Sequence, residues 1–267
     1  MLKLEGVSYR YAGADRDSLH AVSLEVVPRS ITGLIGPAEA GKSTLCLVAG
    51  GLAPRVVGGR LTGSLTLDGE DVTRWPMHRL AEHVVTGLQD PAGQLSLLAD
   101  TVFEEVAFGP TNLGLSRDEI GERSTAALRQ VGLETLAYRD PRRLSGGELQ
   151  LVVLAGLMAM RPRYLVLDEP LAHLDARATS AMLDAISTIA AAGTGVLLVE
   201  QRIDALASIC DSLAVVASGN VVAHGPTQMV LSDPTIAALG VGLPADRHMR
   251  QRIISSGLDP ALLERER

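Results

Sequence analysis

The sequence predicts an α/β fold built on a buried parallel sheet with helices on its faces, and three observations predict it. Two continuous apolar runs, in YLVLDEP and GVLLVE, each end in acidic residues and are separated by an Ala-rich helical stretch, RATSAMLDAISTIAAAG. Strands buried on both faces read as unbroken apolar runs, and strand, helix, strand in that order is the pattern of a parallel sheet. The segment GPAEAGKST, Gly36 to Thr44, lies between the apolar run ITGLI and the helical run LCLVAGGL. That satisfies G-x-x-x-x-G-K-[ST] in the strand-loop-helix setting of a phosphate-binding loop. Finally, 267 residues with 46% apolar side chains can bury one large core, or one core plus a smaller subdomain.

In chain order, LKLEGVSYRY, HAVSLEVV, SITGLIG and GSLTLDG are short β-type runs punctuated by Gly and Asp, which predicts a strand-rich opening third. After Asp100 the character changes. TVFEEVAFG, SRDEIGERSTAALRQVGL and LQLVVLAGLMAM carry apolar residues at helical spacing and predict a helical subdomain. The two buried strands and their helix come after it. Beyond Gly225 the chain is Pro-punctuated with short helical pieces, and there is no internal repeat or low-complexity tract.

Composition narrows the function. Cys46 and Cys210 are too few for a disulfide framework and lack metal-ligand spacing, so both are expected to be core thiols in a reducing, cytosolic setting. The longest apolar run, Leu151 to Met160, stops well short of the ~20 residues that span a bilayer, and the opening MLKLEGVSYRY lacks the layout of a signal peptide. A soluble chain is expected, apolar enough to sit against a greasy partner. With a formal net charge of −7 and no basic tract, nucleic acid is not expected as a partner.

The phosphate loop has well-defined mechanics. Gly36 and Gly41 let backbone N–H groups wrap phosphates, the helix N-terminus adds a favourable dipole, Lys42 reaches the terminal phosphates, and Ser43, followed by Thr44, can hold Mg²⁺. Glu39 is unusual there, because a carboxylate in a loop built for anions must point outward or be paired. Asp168 and Glu169 close the strand YLVLD at its carboxyl end, where ligands bind in open parallel sheets. Consecutive strand residues point to opposite sides, so the pair divides its work: Asp168 toward the Mg²⁺ and Glu169 toward the attacking water.

Leu144 to Gln150, LSGGELQ, narrows the class of phosphate-loop protein further. With the phosphate loop, LVLDEP and LAHLD, it resembles the nucleotide-binding subunit of ATP-binding cassette (ABC) proteins over nearly the whole chain. The resemblance implies a P-loop NTPase, RecA-like core with an antiparallel β subdomain and a helical subdomain at about 91–156. Residues 1–225 would form the nucleotide-binding domain and 226–267 a C-terminal extension, either a dimerisation element or a solvated end. It also implies an ATPase using ATP and Mg²⁺ that works as half of a head-to-tail dimer. In that pairing Ser145, Gly146, Gly147 and Glu148 meet the ATP held by the other subunit. By the same resemblance Tyr11 stacks on adenine, Gln89 joins the Mg²⁺ shell and links to a membrane partner, and Asp175 communicates between subunits. Each has a plainer alternative: one more strand aromatic, a capped loop, a helix cap.

The stretches VSYRYAGADRDSLHAVSLEV and LQDPAGQLSLLADTVFEEVAFGPTNLGL are more specific. They are similar to the ATPase components of energy-coupling factor (ECF) transporters and related cobalt and nickel uptake systems. Implied partners are a second ATPase, identical or related, a transmembrane coupling protein and a substrate-capturing membrane protein, at the cytoplasmic face of the membrane. A soluble ABC ATPase of DNA repair or translation, or a catalytically weak regulatory subunit, are the alternatives. ECF-type chains often read V-E-H-R after the strand that ends here in Val199; this chain reads Val199-Glu200-Gln201-Arg202. Gln201 thus stands where the resemblance places a switch histidine that senses the γ-phosphate. A neutral donor contributes about 0.5–1.5 kcal/mol where a charged one contributes about 1.5–3 kcal/mol, so a slower site is expected, about tenfold if the difference is expressed only in the transition state; the alternative is a tolerated surface substitution that leaves hydrolysis unchanged.

Overall fold

The computed structural model describes residues 1–96, 98–172, 174–239 and 241. The expected strand-rich opening forms β1 (Leu2–Arg10), β2 (Leu19–Val26) and β3 (Ile31–Ile35), followed by α1 (Lys42–Ala49) and the short α2 (Leu52–Arg55). β4 (Arg60–Leu67) and β5 (Glu70–Asp71) come next, then α3 (Met77–Ala81) and β6 (Val84–Gly87). Three helices fill the middle: α4 (Val102–Asn112), α5 (Arg117–Gln130) and α6 (Gly146–Ala159). The chain continues through β7 (Tyr164–Asp168), α7 (Ala176–Ala192), β8 (Gly195–Val199) and α8 (Ile203–Ile209). A hairpin of β9 (Ser212–Ala217) and β10 (Asn220–Pro226) precedes α9 (Thr227–Ser232) and α10 (Pro234–Ala238). Most of the C-terminal extension expected over 226–267 lies outside the described residues.

The strands form two sheets. One is antiparallel, in the order β2-β1-β4-β5; the other runs β10-β9-β3-β8-β7-β6 and is parallel from β9 to β6. The second sheet is buried on both faces because alternate side chains of its strands enter two cores. Leu165, Leu167, Val196 and Leu198 pack with α6 and α7, whereas Val166, Leu197 and Val199 pack with α1 and the antiparallel sheet. Cys46 and Cys210 are free and buried, as expected of core thiols.

Local chemistry sets the helix starts. Thr101 caps α4 through a capping box with Glu104, and Ser116 caps α5 by accepting from Glu119 N. Register does the rest of the positioning. Leu34 of β3 lies beside Val199 of β8, which lies beside Asp168 of β7, so three strands end level with one another. Gly36, Glu200 and Glu169, just past the ends of β3, β8 and β7, are thereby delivered to one edge of the sheet.

Candidate active site

The loop after β3 closes tightly over its neighbours. Gly36 has φ of 156°, and a Cβ there would meet the Val216 carbonyl oxygen at 2.1 Å; Gly41 has φ of 105° and would meet Ser18 O at 2.9 Å. Only glycine fits both positions. Lys42 is buried and donates from Nζ to the carbonyls of Gly36 (3.0 Å) and Pro37 (2.7 Å), spanning the loop. Ser43 and Thr44 lie in the first turn of α1, and the Tyr11 hydroxyl bonds with Thr44 Oγ1 at 3.0 Å. The Tyr11 ring stands edge-on to Tyr9 with centroids 4.9 Å apart.

A cavity of about 610 Å³ opens over the loop, lined by Lys42, Ser43, Thr44, Gln89, Glu169 and Gln201 among others. Tyr11 sits beside the loop through Thr44 and is not part of this lining. Glu39 is exposed, as expected, yet it belongs to the rim of the cavity and holds φ of 59°, the left-handed region that favours glycine. On the far side Glu169 has φ of 52°. Such a conformation costs a non-glycine residue about 1–2 kcal/mol and turns the chain sharply at the end of β7. Its carboxylate is held at both oxygens: Gln89 Nε2 donates to Oε2 at 3.2 Å and Gln201 Nε2 donates to Oε1 at 2.8 Å. The structure thus brings Gln201 to Glu169, where the sequence expectation had assigned it to a phosphate.

The other two residues of the Glu-Gln-Arg triplet are structural partners of this arrangement. Glu200 is 4% exposed; its Oε1 accepts from Leu171 N at 2.7 Å and its Oε2 from Gln201 N at 3.2 Å. Burial raises its pKa despite these bonds. Arg202 donates from Nη1 to Thr179 Oγ1 of α7 at 2.9 Å. Glu200 therefore staples the turn after Glu169 to the turn that carries Gln201. Sequence reasoning missed that role, although an acidic residue directly after a five-residue buried strand was a signal for it.

Asp168 lies behind Ser43 and is 6% exposed. Burial raises its pKa above the usual carboxylate value, with the Ser43 hydroxyl and Lys42 pulling it down and Glu169 pushing it up. Its Oδ1 is buried without a hydrogen-bond partner. An orphaned, buried carboxylate oxygen beside a serine hydroxyl suits a hard divalent cation with oxygen ligands, so the residues fit Mg²⁺.

At the start of α6, Ser145 and Glu148 form a capping box: Glu148 Oε2 accepts from Ser145 N at 2.7 Å, and Ser145 Oγ accepts from Glu148 N at 3.3 Å. The carboxyl of Glu148 is held below its ordinary pKa by these bonds from Ser145. A Cβ on Gly146 would meet open space, and one on Gly147 would touch Leu174 and Ala178 at 3.5 and 3.6 Å; as first-turn residues, both have amides without an intrahelical acceptor. Residues 145–148 are absent from the lining of the loop cavity. Asp175 caps α7, accepting from Ala178 N at 2.8 Å.

A family model described as ABC transporter matches residues 19–172. The chain belongs to the ABC transporter family. It is 34% identical over 269 residues to a putative ABC transporter ATP-binding protein of Pyrococcus horikoshii, covering all of this chain and 94% of that one. It is 36% identical over 232 residues to an energy-coupling factor transporter ATP-binding protein of Symbiobacterium thermophilum, covering 85% of this chain and 78% of the other. The solved structure of CbiO1 from Clostridium perfringens, described as part of the ABC transporter complex CbiONQ, matches with a TM-score of 0.78 and 27% identity over 98% of both chains. Against two other relatives, from Methanosarcina acetivorans and Saccharolobus solfataricus, this ABC cassette spans only 40% and 41% of their length.

Proposed function

We propose that this chain hydrolyses ATP as one half of a head-to-tail ATPase pair and thereby drives a membrane importer of the energy-coupling factor type. The observation that carries the proposal is the Glu169 carboxylate facing the phosphate-loop cavity in the grip of two glutamine amides. Both oxygens accept from neutral donors, so the carboxylate is oriented without being neutralised and can take a proton from an attacking water. Lys42 already lies in the loop with its ammonium resting on two carbonyls, ready to exchange them for phosphate oxygens. Ser43 and Asp168, with Gln89, would hold Mg²⁺, which when bound neutralises charge on the phosphates. Phosphoryl transfer needs little else from a protein than positioning and charge compensation.

Pairing is inferred from the helix start at Ser145. Its free amides suit an anion but do not line their own chain's cavity, so a second copy or a related chain would supply them. Asp175, a short way along the chain from Glu169, would relay between the subunits. A cavity of about 370 Å³ between β6 and the helical middle of the chain, lined by Leu88, Leu95, Phe108, Leu157 and Met160, lies beside Gln89 and would seat an apolar segment of the transmembrane partner. Among the described residues no helix is long and apolar enough to cross a membrane, consistent with a peripheral position on the cytoplasmic face. The similarity to proteins named for energy-coupling factor transport and to CbiO1 supports the importer class.

The test is steady-state ATP hydrolysis by the purified chain across a range of concentrations, beside Glu169→Gln. A rate per chain that rises with concentration and vanishes in the variant supports an active pair. ATP binding without turnover at any concentration would instead favour a silent subunit that requires a different partner.

A further inference from the structure

A third cavity among the described residues, of a size suited to a small ligand, lies at the opposite end of the parallel sheet from the phosphate loop. It has a volume of about 470 Å³ and is formed by α5, the end of α6, the segment 161–163, and the turn at 193–194 that enters β8. Tyr164 at the amino end of β7 lines it while Asp168 serves the nucleotide end, so about 13 Å of strand separates the two. The volume falls in the range of small-molecule sites, about 300–1,000 Å³.

Its lining is amphipathic. Ala126, Ala127, Met158 and Ile189 supply an apolar floor, and three arginines, Arg123, Arg161 and Arg163, supply the charge; among the described residues no carboxylate lines it. Each arginine is held from outside: Arg123 by Glu119, Arg161 by Glu122 at 3.0 Å, and Arg163 by Asp68. These carboxylates orient the guanidinium groups and leave the cavity itself to them. Arg123 also donates to Met160 O at 3.3 Å, yet its Nε–H is buried with no hydrogen-bond partner. Arg123 nevertheless lines the cavity, and a guanidinium fixed beside it by Glu119 matches the planar oxygens of a carboxylate or phosphate. Arg161 holds φ of 52°, a strained conformation that glycine would adopt freely.

We propose that this cavity binds a small organic anion, a carboxylate or phosphate joined to an apolar body, whose charged group is taken by Arg123 and Arg161. The site is independent of the nucleotide reading: it uses none of the residues around the phosphate loop.

The experiment is isothermal titration of the full chain with 1-naphthyl phosphate in saturating Mg-ADP, which keeps the phosphate loop occupied. One molecule should bind per chain, with 1-naphthol and inorganic phosphate each weaker by about tenfold, because one lacks the charge and the other the apolar body. Arg161→Gln, at a half-exposed position whose replacement leaves the core intact, should weaken binding by about fivefold or more. Ala126→Phe should abolish it by filling the cavity. No binding in the presence of ADP, or binding unaltered by Arg161→Gln, overturns the assignment. If Ala126→Phe fails to fold, the Arg161 comparison still decides.

Discussion

The two ends of the parallel sheet share the same strands and treat charge in opposite ways. At the carboxyl ends stand Asp168, Glu169 and Glu200, and among the described residues none of the three is in a salt bridge. Amides hold Glu169 and Glu200, and one oxygen of Asp168 has no partner. At the amino ends, by contrast, Arg123, Arg161 and Arg163 each keep a carboxylate partner. Ion pairing silences a carboxylate toward water and cations, whereas a neutral amide orients it and leaves its charge available. One end therefore leaves carboxylate charge available to incoming groups, and the other fixes its arginines around a cavity that holds no carboxylate among the described residues.

The sharpest way to break that contrast is to remove charge at the carboxyl end. Glu169→Gln keeps shape and hydrogen-bonding capacity but cannot take a proton, so hydrolysis should fall by about 10²–10⁴-fold while ATP binding persists. Single-turnover rates with a parallel nucleotide-binding titration check this, and undiminished turnover would mean that another group is the base. Next in size is Glu200→Gln. Glu200 accepts backbone N–H bonds from the turn after Glu169 and from Gln201, and an amide nitrogen turned toward those donors loses one of them. Because burial raises the pKa of Glu200, removing its charge offsets part of that loss, so a net loss of about 1.5 kcal/mol is expected, lowering the melting temperature by about 3–6 °C for a chain of this length. An unchanged melt would show that the staple is not needed.

Gln201→His tests the amide grip itself. A cationic imidazole could pair with Glu169 or with a phosphate, and the two differ in sign. Charge-assisted contact with phosphate should raise turnover by up to about tenfold, whereas pairing with Glu169 should stabilise its charged form and weaken it as a base. Turnover across about pH 6–8, the range in which an imidazole changes charge, separates these outcomes when set against the parent chain. An unchanged rate would mean that position 201 does not limit the reaction.

Much of this site was legible in the sequence because its strongest signals are local. The loop from Gly36 to Thr44, the pair Asp168 and Glu169, and the helix start at Ser145 are each contained within a few consecutive residues whose spacing dictates their conformation. The fold class was readable from YLVLD and GVLLV, since only strands buried on both faces are apolar throughout. What escaped was long-range. That Gln201 would turn to Glu169 depends on β7 and β8 ending level, a matter of register that neither strand carries alone. Glu200 looked like part of a polar triplet, and its burial is visible only once the turn at Leu171 folds over it. The β9–β10 hairpin, whose Val216 carbonyl forbids a side chain at Gly36, was not read either, although SLAVVA followed by Ser-Gly-Asn carries an ordinary strand-turn signal. The cavity between α5 and α7 had no sequence signal, because Arg123 is far along the chain from Arg161 and Arg163 and only the fold brings them together.

The smallest expected effect is also the most diagnostic for the metal site. Burial raises the pKa of Asp168 in the folded protein, so the sign of its contribution runs against the usual acidic residue. Below the unfolded-state value the carboxyl is protonated in both states and contributes nothing. As pH rises past that value the unfolded chain ionises first, and folding is progressively disfavoured until the folded group ionises too; above that the full cost is present. Asp168→Asn removes the buried charge with little change of shape. In the absence of metal and nucleotide it should stabilise the chain at about pH 7–8 by about 1 kcal/mol, or about 2–4 °C, and the gain should shrink as pH falls through the acid range. Mg-ATP should then stabilise the parent chain more than the variant, because only the parent retains the anionic oxygen that suits the cation. A variant less stable than the parent at neutral pH would mean that the Asp168 carboxylate is already satisfied without a cation, and the assignment of this residue to Mg²⁺ would fail.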